Sequence, residues 1–272
     1  MPYTTFSEAQ VKSLINAIES DGYAVLPDWA SPSQLQSLQA LVARTVAECG
    51  NDYVALSGRQ AVQGTPLHEW GTSRDFIDLC RRIVAGVTGD RSSENGMTQT
   101  LRCLTGSGGR RESLIFHYDS FVLTTIMPVC MPTSGERGDL LMLPNRRPIR
   151  RTYFANLLDK VRVDNGWMQR RLRNRVAKDD SAFTRIAMQP GHLYLFWGYR
   201  SLHTNMPVAE NALRATAVFH YQNVHGSSSL ASRRPASASV RGSSGCCSRS
   251  RPRACRPSPR ASTSSSCSTS RS

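Results

Sequence analysis

Near the N-terminus, apolar positions recur at helical spacing, then briefly at strand spacing, then at helical spacing again. Residues 7–20 place Val11, Leu14, Ile15 and Ile18 on one face, and Ser7 stands where an N-cap belongs. Asp21-Gly22 breaks that period, and Tyr23-Ala24-Val25-Leu26-Pro27 predicts a short strand. Ser31-Pro32 opens a second helix, with Ser as cap, Pro in the first turn, and Leu35, Leu38, Leu41 and Val42 facing inward. From 51 to 98 the signals are mixed. The clear element there is a helix over 73–87, carrying Phe76, Ile77, Leu79, Cys80 and Ile83, while His68 falls in a loop flanked by Gly and Pro.

Beyond residue 98 the pattern turns β-rich. Strands are predicted at 98–104, 113–118, 121–128, 138–144, 191–197 and 214–222, punctuated by Gly106-Ser107-Gly108-Gly109, by 132–138 and by Pro190-Gly191. Many strands with short turns predict a barrel or a sandwich. One stretch interrupts them. Residues 146–178 carry 11 Lys/Arg against two Asp, with Tyr153, Phe154, Leu157, Leu158, Val161, Trp167, Met168 and Leu172 at roughly helical spacing. The plain reading is an amphipathic helical insertion, about 145–185, with a solvated basic face. The sharper one is a lid whose arginines meet an anionic substrate.

Composition changes this picture mainly at the C-terminus. The hydrophobic fraction is 39%, but residues 226–272 hold 18 Ser and 9 Arg with no acid. Removing that tail takes the net charge from +14 to +5, since 9 of 34 basic residues leave and all 20 acids stay. The basic pI therefore gives no reason to expect specific nucleic-acid binding. Such a tail cannot bury enough apolar surface to fold and is expected to be disordered. Its abrupt start after His225-Gly226 also fits a shifted reading frame in a GC-rich gene, and no function is assigned to it.

Four of the 8 Cys (Cys49, Cys80, Cys103, Cys130) are widely spaced, and Cys246, Cys247, Cys255 and Cys267 lie in the tail. With no CxxC pair, neither a zinc site nor a disulfide framework is expected. The absence of an apolar signal core and of a run long enough to span a membrane predicts a soluble protein of the cytoplasm.

The candidate chemistry centres on Phe116-His117-Tyr118-Asp119-Ser120. On a strand, side chains two apart share a face, so His117 and Asp119 would project together as two arms of a metal site. His203 lies 86 residues on, with intervening strands to bring it back. Two His and one carboxylate on one face of an octahedron leave three positions open, the arrangement expected of non-haem Fe(II) oxygenases. Two of these suit a bidentate 2-oxo acid and one suits O2. A distal carboxylate needs a cation, and Arg214 follows His203 by 11 residues. If their strands pair as a hairpin, its planar fork arrives beside the metal ligand. His192, His220 and His225 are the rival ligands. His220 shares a strand face with Arg214 and reads as a core residue or one just outside the ligand shell, and His192, after a turn glycine, as structural.

His117-x-Asp119, His203 and Arg214 together resemble the signature of the Fe(II)/2-oxoglutarate-dependent oxygenases. The eleven-residue step from distal His to Arg is similar to that of the phytanoyl-CoA dioxygenase-like branch, as are Gly138-x-Leu140-x-x-x-Pro144 and the opening DGYAVLPD. The resemblance covers about residues 10–225. It implies a mainly β protein with flanking helices and a double-stranded β-helix (jelly-roll) core, forming one oxygenase domain over 1–225. It further implies His117, Asp119 and His203 as Fe(II) ligands, Arg214 as the 2-oxoglutarate anchor, and Asn205 and Gln99 as further cosubstrate contacts. The implied reaction oxidises an unactivated C–H bond of a small molecule, releasing succinate and CO2. Because Asp119 occupies the place where the related halogenases have Gly or Ala, hydroxylation is expected. The nucleic-acid demethylases carry a second Arg six residues after the first; His220 stands there, which argues against base repair. A protein or peptide hydroxylase and a non-catalytic jelly-roll binding module remain the alternatives.

Overall fold

The computed structural model describes residues 5–89, 97–149, 161–179 and 181–223. The tail from 226 onward, Tyr153, Phe154, Leu157 and Leu158 of the basic stretch, and His225 lie outside these. The N-terminal elements form where the sequence pattern places them: α1 (Glu8–Ser20), β1 (Ala24–Leu26) and α2 (Pro32–Glu48). Both helices begin with complete capping boxes, Ser7 with Gln10 and Ser31 with Gln34. Each box satisfies two otherwise orphaned N–H groups and stabilises its helix by about 1 kcal/mol. Next come β2 (Val54–Ser57), α3 (Pro66–Thr72) and α4 (Arg74–Thr88). Ser73 caps α4, and Gly89, at φ 72°, ends it in the left-handed conformation that glycine adopts without strain.

The β-rich half contains β3 (Thr98–Leu104), β4 (Phe121–Cys130), β5 (Leu140–Leu143), β6 (Thr184–Ile186), β7 (Leu193–Phe196), β8 (Leu202–Asn205) and β9 (Arg214–Asn223). It is interrupted by α5 (Gly106–Arg111) and α6 (Gly166–Ala177). The strands form two antiparallel sheets: a six-stranded sheet in the order β1-β7-β4-β9-β3-β2 and a three-stranded sheet in the order β6-β5-β8. This is a double-stranded β-helix with flanking helices.

Strand alternation sorts the large sheet into two faces. Leu101, Cys103, Ala215, Ala217 and Phe219 pack under Leu38 and Val42 of α2, Trp70 of α3 and Phe76 of α4. Each fully buried Leu or Phe there stabilises the fold by roughly 1.5–3 kcal/mol. The other face turns inward, where Ile126, Tyr194 and Phe196 meet Leu140, Met142 and Ile186 of the small sheet. The site lies on this inner side.

Several expectations are corrected. Residues 113–118 are not a strand: Leu114 takes φ 53°, and the segment meets β8 through one isolated bridge, His117 to His203, and one further hydrogen bond, Leu114 N to Asn205 O at 3.0 Å. Its β-propensity is overridden because the Phe116 backbone is bonded by a side chain, Gln169, whose Oε1 accepts from Phe116 N (3.0 Å) and whose Nε2 donates to Phe116 O (2.8 Å). His68 sits on α3 instead of a loop, because Pro66 at the first turn starts a helix there. Gly106-Ser107-Gly108-Gly109 begins a short helix, with Gly108 N donating to Asp52 Oδ1 at 2.7 Å. The predicted hairpin of His203 and Arg214 does not form, since β8 pairs with β5 and β9 pairs with β3 and β4. In the basic stretch, Leu172 is buried but Trp167 is 65% exposed and Val161 58% exposed. The helix is anchored through Gln169 and Leu172 and turns its arginines outward.

Candidate metal centre and active site

His117 and His203 are direct cross-strand partners. His117 N donates to His203 O (3.0 Å) and His203 N to His117 O (3.1 Å), so the two Cα atoms are held as a hydrogen-bonded antiparallel pair. Their rings lie with centroids 4.4 Å apart. Each Nδ1 faces a backbone carbonyl at 3.0 Å, Ile115 O for His117 and Ser201 O for His203. A carbonyl only accepts, so Nδ1 carries a proton and Nε2 is the nitrogen left to face the interior. Phe196 packs edge-on against His203 at 4.9 Å and excludes water from that side.

Asp119 completes the group. Its N donates to Gly198 O at 3.0 Å, fixing the backbone just before β4. His117 Nε2 stands 3.7 Å from Oδ1 and His203 Nε2 3.5 Å from Oδ2. One ligand atom from each of His117, Asp119 and His203 lies within 4.8 Å of the others, a group that could hold a metal ion. The donor set suits iron: two imidazole nitrogens and one carboxylate, with no thiolate.

The electrostatics are those of ligands poised for a cation. Burial and the neighbouring His203 push the His117 imidazole down to about 4, against the opposing pull of Asp119. The ring keeps 43% exposure, and water at that outer edge offsets part of the push. Burial pushes the Asp119 carboxyl up, but His203, His220 and His117 outweigh it and hold the carboxyl well below the usual range. The centre therefore holds a carboxylate and a neutral His117 near pH 7, the protonation states metal binding requires.

Arg214 lies on the same interior, at the start of β9 and 3% exposed. Its Nη1 reaches Thr216 Oγ1 only at 3.5 Å, and Nε has no partner among the described residues. Burial, reinforced by Arg102, lowers its guanidinium to about 9. A guanidinium does not deprotonate in practice, so this shift expresses the cost of a buried cation short of an anion. Gly138, at φ 73°, makes room for it: a Cβ there would sit 2.5 Å from Arg214 Cδ.

The two remaining sequence candidates are placed differently. Asn205 points inward from β8, but its Oδ1 accepts from Arg102 Nη1 (3.5 Å) and its Nδ2 donates to Ser113 Oγ (3.1 Å) and Met206 O (2.9 Å). Gln99 is turned away. It shares the helix-facing side of β3 with Leu101 and Cys103, against Gly71 of α3, because strand alternation gives the interior to Thr98, Thr100 and Arg102. His192 accepts from Asp28 N at 3.3 Å through Nδ1 and serves the loop before α2.

Sequence reading passed over Arg102 and Thr216, which are direct Cα partners on the interior face. The alternation of residues 98–104 carried the signal for Arg102, a charged residue set between Leu101 and Cys103. Gln169 had no such signal, because its role depends on a contact 53 positions away.

No protein-family model matches the sequence, and no match was found among curated proteins. Solved structures do match. The non-heme alpha ketoglutarate dependent carbocyclase SnoK from nogalamycin biosynthesis aligns with a TM-score of 0.51 at 15% identity, over 82% of this chain and 91% of that one. The fold is that of the iron/2-oxoglutarate oxygenases. The epimerase SnoN in complex with Fe3+, alpha ketoglutarate and nogalamycin RO aligns at 0.50 with 15% identity, over 79% of this chain and 85% of that one. EctD from S. alaskensis with bound Fe aligns at 0.50 with 17% identity, over 79% and 77%. Likeness at this identity speaks for the fold alone.

Proposed function

We propose that this protein is an Fe(II)/2-oxoglutarate-dependent dioxygenase of the phytanoyl-CoA dioxygenase-like branch that hydroxylates a C–H bond of a small anionic molecule. The observation that carries this reading is one interior holding His117, Asp119 and His203 in ligating arrangement together with the unpaired, buried Arg214. His117 Nε2, His203 Nε2 and an oxygen of Asp119 hold the iron, and Arg214, with Thr216 beside it, grips the distal carboxylate of 2-oxoglutarate through its planar fork. Iron with 2-oxoglutarate and O2 supplies the oxidising equivalent, so that substrate C–H, 2-oxoglutarate and O2 become C–OH, succinate and CO2.

The chain's own residues orient and exclude. The carbonyls of Ile115 and Ser201 fix the two imidazoles, and the apolar wall of Ile126, Tyr194 and Phe196 keeps water from the reacting centre. Asp119 supplies the carboxylate that halogenases lack, which supports hydroxylation. Arg102, on the interior face of β3, supports an anionic substrate: its ion pair with Glu112 is loose, at 3.5 Å. No helix among the described residues is long and apolar enough to cross a membrane, in keeping with a cytoplasmic enzyme. The oxygenase domain comprises residues 1–225, with the tail 226–272 outside it.

The test is anaerobic. Fe(II) and then 2-oxoglutarate are added to purified protein, and the weak visible metal-to-ligand charge-transfer band is recorded. The band is expected in wild type, absent in His117→Ala, and shifted to higher 2-oxoglutarate concentration in Arg214→Ala. Absence of the band in fully reduced, iron-loaded wild type would overturn the reading. With a substrate in hand, succinate formation must match substrate loss.

A further inference from the structure

Asp119 has two oxygens, and the fold treats them differently. Among the described residues, Oδ1 meets only His117 Nε2, at 3.7 Å. Oδ2 faces His203 Nε2 at 3.5 Å and is hemmed in from three further sides. Thr124 Oγ1 of β4 donates a short hydrogen bond to it, and His220 Nε2 of β9 stands 3.6 Å away. The third side is Gly198, where a Cβ would come 2.4 Å from Oδ2 and 2.0 Å from Thr124 Oγ1. Thr124 and His220 are direct cross-strand partners, so both donors come from the rigid large sheet. Phe121 stacks on the His220 ring at 5.0 Å and 23°, which limits how the ring turns.

We propose that His220 is a positioning residue for the metal centre, an inference that rests on the oxygenase reading. His220 Nε2–H donates to Asp119 Oδ2 when the carboxylate takes up a metal. Together with Thr124 it engages that oxygen from the sheet side and so holds the carboxylate to one-oxygen ligation. A carboxylate accepts only, so the imidazole must be the donor. The functional consequence follows from counting positions. One-oxygen ligation by Asp119 with two imidazoles leaves three sites open, whereas two-oxygen ligation leaves two, too few for a bidentate 2-oxo acid and O2 together. Gly198 belongs to the same device, since a larger residue would displace the hydroxyl and the carboxylate at once.

The experiment uses the full chain and Co(II) and Fe(II) as probes. Wild type, His220→Phe, His220→Gln and Thr124→Val are compared by metal dissociation constant, measured against a competing chelator, and by the Co(II) d–d absorption spectrum. Loss of an outer hydrogen-bond partner of a ligand costs about 10–100-fold in metal affinity. His220→Phe and Thr124→Val are expected to weaken binding on that scale and to change the Co(II) spectrum. His220→Gln, which retains an N–H donor, is expected to stay near wild type in both. Wild-type affinity and spectrum in His220→Phe would overturn the proposal. If His220→Phe does not fold, a His220→Gln variant with the full loss overturns it equally. Failure of wild type to bind iron at all would instead strike the oxygenase reading.

Discussion

The two sheets hold the site in different ways. The large sheet is broad, its β4 and β9 are each ten residues long, and helices α1–α4 cover its outer face with a continuous core. The small sheet has strands of three and four residues, and the segment carrying His117 is joined to it by one bridge and the hydrogen bond from Leu114 N to Asn205 O. Where the backbone ladder is thin, side chains take over its work. Gln169 bonds both backbone groups of Phe116, and Arg185 Nε pairs with the buried Asp139 at 2.9 Å to tie β6 to β5. Under the proposed function, cosubstrate anchoring by Arg214 would rest on an extended hydrophobic core, and metal ligation on a few specific polar contacts. Stability and metal affinity should therefore respond to different substitutions.

The largest expected effect separates binding from stability at one residue. Arg214→Met removes a buried, unpaired cation, so the ligand-free protein should be no less stable in urea unfolding. Its 2-oxoglutarate affinity should nevertheless fall by about 100-fold, from loss of a paired charged bond. A variant that loses stability and keeps affinity would refute the assignment of Arg214.

Next comes Gln169→Leu, which strands the buried N–H and C=O of Phe116 at about 1–3 kcal/mol each. Urea unfolding should show the loss, and a chelator competition should show weaker Fe(II) binding, because the segment carrying His117 is freed. Gly71→Ala tests the opposite region. A Cβ there would lie 1.8 Å from the Gln99 amide, so the variant should lose about 1–3 kcal/mol through overpacking. Its iron affinity should stay at the wild-type value. If both variants alter iron affinity alike, the contrast between the sheets fails.

The pH dependence should be smaller. The folded value of His117, about 4, lies below its ordinary 6.5, so between these pH values the unfolded chain binds a proton that the folded metal-free chain refuses. This contribution is therefore whole above pH 6.5 and is lost as pH falls toward 4. The half-exposed ring keeps it modest. Melting temperatures of wild type and His117→Asn should converge across that range. Thr125→Val should do least, within about 1 kcal/mol, because the buried Thr125 hydroxyl has no partner to lose.

Much of the large sheet was legible beforehand. Ser7, Ser31 and Ser73 mark helix starts by a local hydrogen bond, and the strands at 98–104, 121–128 and 214–222 show themselves by apolar alternation, both properties of neighbouring residues. The errors fell where contacts are remote. The segment 113–118 has strand composition, yet Gln169 takes its backbone. Gln99 was assigned to the site by its place on the chain, and the strand's phase turns it to the helices. His220 was known only to share a face with Arg214; its approach to Asp119 required the loop of Gly198 to close on β4.

The sequence by itself determined helices α1, α2 and α4, the long strands and the identity of the chemistry-bearing residues, because capping, periodicity and side-chain type are local or intrinsic. Only the tertiary structure decided which atoms meet. The reciprocal bridge of His117 and His203, the unpaired state of Arg214 and the crowding of one Asp119 oxygen all depend on how two sheets close on each other. That closure is set by core packing summed over the whole chain, and no short stretch encodes it.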